Sequence, residues 1–294
     1  MVTIVTRRFD DYCRMKTGQA VAAQMPGFET RRPPPQDAPG LVAVGSEWSR
    51  ALFDGWFYRR DADPHVALPS VSLVFVQSAD GNTGADDPSS LGGGETDKHL
   101  VYEGLSRVDA DGVLAGAKTA YGDEIVFSVW HPELVRVRLE RGRARHPAQI
   151  VLTDRGDLPV HTALLYNEPE LRTVIITSTP GAAVLARRLP GRPWVEVIDC
   201  GHPVDLRRAM RELHARGIRV VSAIGGRHAA AALLRADLVG ELYLTTSARP
   251  GGEANTPLVE GGLPDHDVVL EKEGCGPERG VRFQHLLFRN GRRN

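Results

Sequence analysis

The stretch Ser222-Ala223-Ile224-Gly225-Gly226-Arg227-His228-Ala229-Ala230-Ala231 decides the architecture. An apolar, β-like run from Ile218 to Ile224 stops at two glycines, and an Ala/Leu-rich helical run from Ala229 follows at once. Glycine lets a backbone approach a ligand with no Cβ in the way. A helix that starts directly after such a turn aims its free N–H groups and positive dipole end at that ligand, and a phosphate is the usual guest. The stretch predicts a strand–turn–helix unit with a nucleotide cofactor at the carboxyl end of a parallel sheet. A tight turn with no ligand is the competing reading.

Outward from this point the alternation recurs. Strands are expected at 71–76, 111–116, 149–153, 173–177, 195–198 and 241–245. Helices are expected at 97–106, 180–189, 205–215 and 229–239, with Asp205 as an N-cap and Gly217 just past a helix end. Strands separated by helical runs mean βαβ units and a largely parallel sheet. The tail, Val281 to Arg289, alternates and is expected as an antiparallel edge strand. Residues 1–66 read differently. Weak helical signals at 9–23 and 47–58 flank Arg31-Arg32-Pro33-Pro34-Pro35-Gln36-Asp37, where three prolines forbid a continuing helix or a central strand. The division expected is an N-terminal extension over 1–66, docked on a main domain over 67–294. The Trp48/Trp56 stripe reads as packing.

Composition excludes several classes. With 41% hydrophobic and 25% charged residues and a formal net charge of −1, neither nucleic acid nor a membrane surface is an expected partner. Cys13, Cys200 and Cys275 match no metal-ligand spacing, so no metal is expected, and their sparse use suggests a reducing, cytoplasmic setting. No segment is long and apolar enough to cross a bilayer, and the first residues lack the apolar core of a signal peptide. The arginines at 136, 138, 141, 143 and 145 are expected in a solvated connection rather than a phosphate patch.

Three glycine-bearing turns end successive predicted strands: Asp80-Gly81 within Ser78-Ala79-Asp80-Gly81-Asn82-Thr83, Gly116 within Ala115-Gly116-Ala117-Lys118-Thr119, and Gly225-Gly226. With Asp123-Glu124, Gly240-Glu241-Leu242 and Gly252-Glu253-Ala254-Asn255-Thr256-Pro257-Leu258, their order resembles the reductase domain at the C-terminal end of bacterial riboflavin-biosynthesis deaminase/reductases, over about residues 67–290. That resemblance implies a dihydrofolate-reductase-like α/β fold and an NADPH-dependent reductase that transfers hydride to a small heterocycle. The ring would be like a phosphoribosylaminouracil or a pterin, and the resemblance also implies a homodimer. Gly116, Thr119, Gly225, Gly226 and Arg227 would hold the cofactor, and Thr153 and Arg155 would reach the adenosine ribose and its 2′-phosphate. Ser78, Asp80 and Thr83 would face the substrate, with Asp80 and Asp123 as the catalytic carboxylates. Val74, Trp130 and Ile224 depart from the family's Lys, Arg and Glu, which puts the phosphorylated substrate in question. The other readings are a non-catalytic nucleotide-binding relative and a flavin- or NADH-using enzyme. The chain lacks the paired-cysteine zinc signature of the deaminase half.

Overall fold

The computed structural model describes residues 2–35, 40–189 and 191–289, with side chains from residue 7 onward. Gln36 and Asp37 of the proline break lie outside the described residues. Among the described residues twelve strands are formed: β1 (Phe28–Arg32), β2 (Leu41–Val44), β3 (Phe57–Arg60), β4 (Ser70–Gln77), β5 (Gly112–Gly116), β6 (Ala148–Leu152), β7 (Thr173–Thr177), β8 (Val195–Asp199), β9 (Val220–Gly225), β10 (Glu241–Thr246), β11 (His266–Gly274) and β12 (Arg282–Phe288). Ten of them make one sheet in the order β1-β11-β12-β10-β4-β9-β5-β6-β7-β8, and β2 and β3 form a separate hairpin. From β10 to β8 every neighbouring pair is parallel. The carboxyl ends of seven strands therefore point the same way.

Helices cover both faces: α1 (Val2–Ala22), α2 (Glu47–Phe53), α3 (Gly94–Thr96), α4 (Ser106–Val108), α5 (Pro132–Glu140), α6 (Leu164–Asn167), α7 (Thr179–Arg188), α8 (Leu206–Ala215) and α9 (Arg227–Arg235), with a π-helical stretch over Asp97–Leu105 between α3 and α4. The central parallel strands, such as β5 and β7, are apolar nearly throughout because both faces are buried. Alternation sorts their side chains: Val71 and Leu73 join one core, whereas Val74 joins the other. Asp205 caps α8 by accepting the Arg208 N–H at 2.9 Å, and Gly217 follows with φ +80°, as the sequence predicts.

Several expectations are corrected. The tail strand β12 is antiparallel, but β11 covers its outer side, so it lies inside the sheet and β1 forms that edge. Arg31 and Arg32 belong to β1, and the proline run begins only where that strand ends. The helical run expected at 47–58 stops at Phe53, because Asp54 takes a left-handed conformation, and Phe57 opens β3. The helix after the glycine turn ends at Arg235 rather than 239, with Asp237 at φ +54° beyond it. The basic segment is solvated only in part. Arg136 is exposed and pairs with Glu133 and Glu140 along its own helix. Arg138 is 1% exposed and donates to the carbonyls of Arg107, Val108, Ala110 and Ala144. Arg141 and Arg143 grip Asp109, and Arg145 lies over the Trp130 ring. Arg138 thus bonds α5 from inside to the chain that leads into β5.

The N-terminal segment contributes Phe28, Val44, Phe53 and Phe57 to the same apolar cluster as Val74, Tyr243 and Phe283. Buried Lys272 of β11 fastens it by donating to Thr30 Oγ1 at 2.6 Å and to the Asp54 carbonyl at 3.0 Å.

Candidate functional site

The turns after β5 and β9, neighbouring parallel strands, meet closely. A Cβ on Gly226 would stand 3.1 Å from Gly116 Cα, and one on Gly225 would stand 2.7 Å from Thr119 Cγ2. Gly226 has φ +82°, a conformation other residues adopt only under strain, and it is the N-cap of α9 with no side-chain cap. Gly116, Thr119, Gly225 and Gly226 thus form one cradle, with half-buried Arg227 opening the helix behind it. Backbone packing alone demands glycine at 226. The uncapped first turn of α9 adds N–H donors, and together they fit the phosphate-bearing part of a dinucleotide.

On the other side of β9, the loop after β4 is built around Ser78. Its hydroxyl accepts the Asn82 N–H at 3.2 Å and its N–H donates to the Asn82 carbonyl at 2.9 Å. Thr83 donates through both N–H and Oγ1 to the Thr256 carbonyl, and Asn82 Oδ1 accepts the Thr256 N–H. The 252–258 element therefore seals the 78–84 loop, and two motifs separated by about 170 positions become one wall. Asp80 is exposed at its tip. Lys118 and Asp86 stand 3.6 Å apart across the two turns, both almost fully exposed, so the pair marks proximity more than it adds stability.

The remaining predicted residues stand elsewhere. Thr153 is buried, and its Oγ1 accepts the Gly156 N–H at 3.2 Å, so this hydroxyl already serves its own turn. Arg155 beside it is exposed. Asp123 is exposed, its carbonyl receives the Leu164 N–H, and neighbouring Glu124 pairs with Arg8 of α1. Val74, Trp130 and Ile224, the three departures, are all buried: Val74 and Ile224 lie in the core above the sheet and Trp130 under α1 beside Tyr12.

One carboxyl escaped the sequence reading. Asp97, 8% exposed, accepts a hydrogen bond from Thr245 Oγ1 near the end of β10. A Cβ on Gly93 would stand 2.8 Å from an Asp97 oxygen and 3.0 Å from Val76 Cγ2, which sets this carboxyl beside the end of β4 as well. Burial, aided by the nearby Glu278 carboxylate and opposed by the Thr245 hydroxyl, pushes it up to about 7. In the sequence Thr96-Asp97 reads only as the acidic start of a helix, since Thr245 is 148 positions away. Strands β10, β4, β9 and β5 are consecutive neighbours, so Asp97, between the ends of β10 and β4, and the cradle, between those of β9 and β5, are about two strand spacings apart, roughly 10 Å, within the span of an extended dinucleotide.

The model of the RibD C-terminal domain family matches residues 69–275. A curated relative, 2,5-diamino-6-ribosylamino-4(3H)-pyrimidinone 5′-phosphate reductase of Archaeoglobus fulgidus, is 27% identical over 139 residues, which cover 47% of this chain and 62% of that protein. A pyrimidine reductase-like protein of Corynebacterium diphtheriae superposes with TM-score 0.60 at 24% identity, covering 74% of this chain and 91% of that one. A Thermotoga maritima deaminase/reductase gives TM-score 0.54 at 21% identity, covering 75% and 56%. Those two likenesses carry the fold. With 207 consecutive residues under the family model and its glycine turns drawn together at one end of the sheet, the chain belongs to the RibD C-terminal domain family.

Proposed function

We propose that the chain is an NADPH-dependent reductase acting on a C=N bond of a ribosylated aminopyrimidine or a related ring. The observation that carries this reading is the cradle of Gly116, Thr119, Gly225 and Gly226 at the carboxyl ends of adjacent parallel strands, where open α/β sheets bind their ligands. These four residues and Arg227 hold the cofactor, and Arg155 contributes the positive charge that favours a 2′-phosphate. Thr153 holds the turn that presents Arg155. Ser78 and Thr83 shape the substrate wall, and Asp80 at its tip accepts hydrogen bonds from the ring. Asp123 lies at the rim by the same reading.

With its phosphates held in the cradle, the cofactor would supply a hydride to the substrate carbon from its nicotinamide ring. The proton that balances it at nitrogen comes from Asp97, which burial keeps protonated near neutral pH. Asp97 is left as a carboxylate and regains its proton from water. Val74 and Ile224 offer no charge to a phosphoribosyl group, so the substrate's phosphate finds its partners elsewhere or is absent. A homodimer follows from the family reading, with the sheet edge β1 or β8 as a seam.

The test is turnover. Purified protein with NADPH and 2,5-diamino-6-ribosylamino-4(3H)-pyrimidinone 5′-phosphate, and separately its dephosphorylated form, should lose nicotinamide absorbance with at least one of the two. Cofactor binding without oxidation for either ring, or for a dihydropterin, would contradict the enzyme and favour a nucleotide-binding relative.

A further inference from the structure

Glu278 lies in the turn between β11 and β12, yet its carboxylate acts at the start of a helix 182 positions away, where Oε1 accepts the Thr96 N–H at 3.1 Å. Its Oε2 is buried without a hydrogen-bond partner. Gly94 has φ +87°, and any Cβ there would run into this carboxylate, so the glycine leaves the room that Glu278 fills. The turn itself is held by the N-terminal segment: Cys275 N–H donates to the Gly27 carbonyl at 3.0 Å, and Phe28 pairs with Gly274. Asp97 is the next residue after Thr96. The titratable groups facing Asp97 are Glu278 from this turn and Tyr102 of its own helical stretch, while β10 gives it the Thr245 hydroxyl and β4 presents Val76. Glu278 Oε2 is buried at this helix start, and a second carboxylate close by disfavours ionisation of Asp97.

We propose that Glu278 is the positioning residue for Asp97: it fixes the helix start that carries Asp97 and holds the proton on that carboxyl, linking residues 27 and 28 to the reaction centre. The inference rests on the reductase reading for the use of that proton, but the coupling itself is measurable without turnover. Glu278→Gln keeps an acceptor for the Thr96 N–H and removes only the charge. In carbon-13 NMR of carboxyl-labelled protein, Glu278→Gln should lower the Asp97 titration midpoint by about half a pH unit or more, and Glu278→Asp should restore part of the difference. An unchanged Asp97 midpoint in Glu278→Gln would overturn the proposal. If that variant fails to fold, Glu278→Asp decides: with its carboxylate drawn back by one methylene it should lower the Asp97 midpoint by a smaller amount, and an unchanged midpoint there would equally overturn the proposal. In turnover, Glu278→Gln should move the alkaline limb of the pH profile to lower pH with the KM for NADPH unchanged. Intact coupling in a wild type that oxidises no NADPH would sink the reductase reading and leave the Glu278–Asp97 coupling without a reaction to serve.

Discussion

At Asp97 one buried carboxyl links stability to chemistry. It takes its proton more tightly in the folded chain, up to about 7 against an ordinary 3.8. For an acid raised in this way, the favourable contribution is complete below about pH 4 and is lost as pH rises to about 7, an effect of at most ~4 kcal/mol. Thermal unfolding followed between pH 4 and 8 should therefore show a falling Tm in wild type and a flatter profile in Asp97→Asn, whose amide can still accept from Thr245. Equal slopes would mean that Asp97 ionises normally. Glu103 lies in the opposite situation: despite burial, the contact with His99 at 3.2 Å and the nearby charges of Lys16 and Arg107 hold it down to about 2, so its contribution is lost only as pH falls from about 4.5 to about 2, in both proteins alike. Asp97 is legible only in three dimensions, because its identity as a buried acid depends on Thr245 and Glu278, which no local pattern connects to it.

The parallel strands and their helices could be read directly, because a strand buried on both faces is continuously apolar and each helix carries caps such as Asp205. The elements that were missed are those whose partners are distant. β1 is polar along most of its length and becomes a strand by pairing with β11, which itself carries Glu271, Lys272 and Glu273. The arginines of 136–145 misled for the same reason: a charge run signals solvent unless carbonyls wait for it inside. Arg138→Met removes the donor from four main-chain carbonyls at once, at a cost of about 3 kcal/mol or more. Urea unfolding should show a lower midpoint with unchanged slope, and a stability equal to wild type would contradict the assigned role.

Across the whole molecule the N-terminal segment and the family-matched region share one apolar core. Phe28, Phe53 and Phe57 contact Phe283 or Tyr243 at ring-centroid distances of 4.6 to 6.3 Å. A chain lacking residues 1–66 exposes that cluster and the edge of β11, so it should be insoluble or bind hydrophobic dye, and a soluble, cooperatively unfolding fragment would refute this. The segment's reach to the Glu278 turn gives it a second use, in the placement of the reaction centre. Four of the motifs visible in the sequence converge by pairs, 78–83 with 252–258 and 116–119 with 225–226, at the carboxyl ends of β4, β5 and β9, whereas Gly240-Glu241-Leu242 opens β10 at the opposite end.

The glycine cradle at the ends of β5 and β9 is tested by a titration with NADPH and NADH followed by nicotinamide fluorescence, wild type beside Gly226→Asp. The substitution puts a side chain 3.1 Å from Gly116 Cα and a negative charge at the start of α9, where a phosphate is to sit. Saturable NADPH binding that weakens at least tenfold in a variant of unchanged fold is the predicted result. A wild type that binds neither nucleotide, or a Gly226→Asp variant that is folded and binds NADPH as tightly, would contradict it.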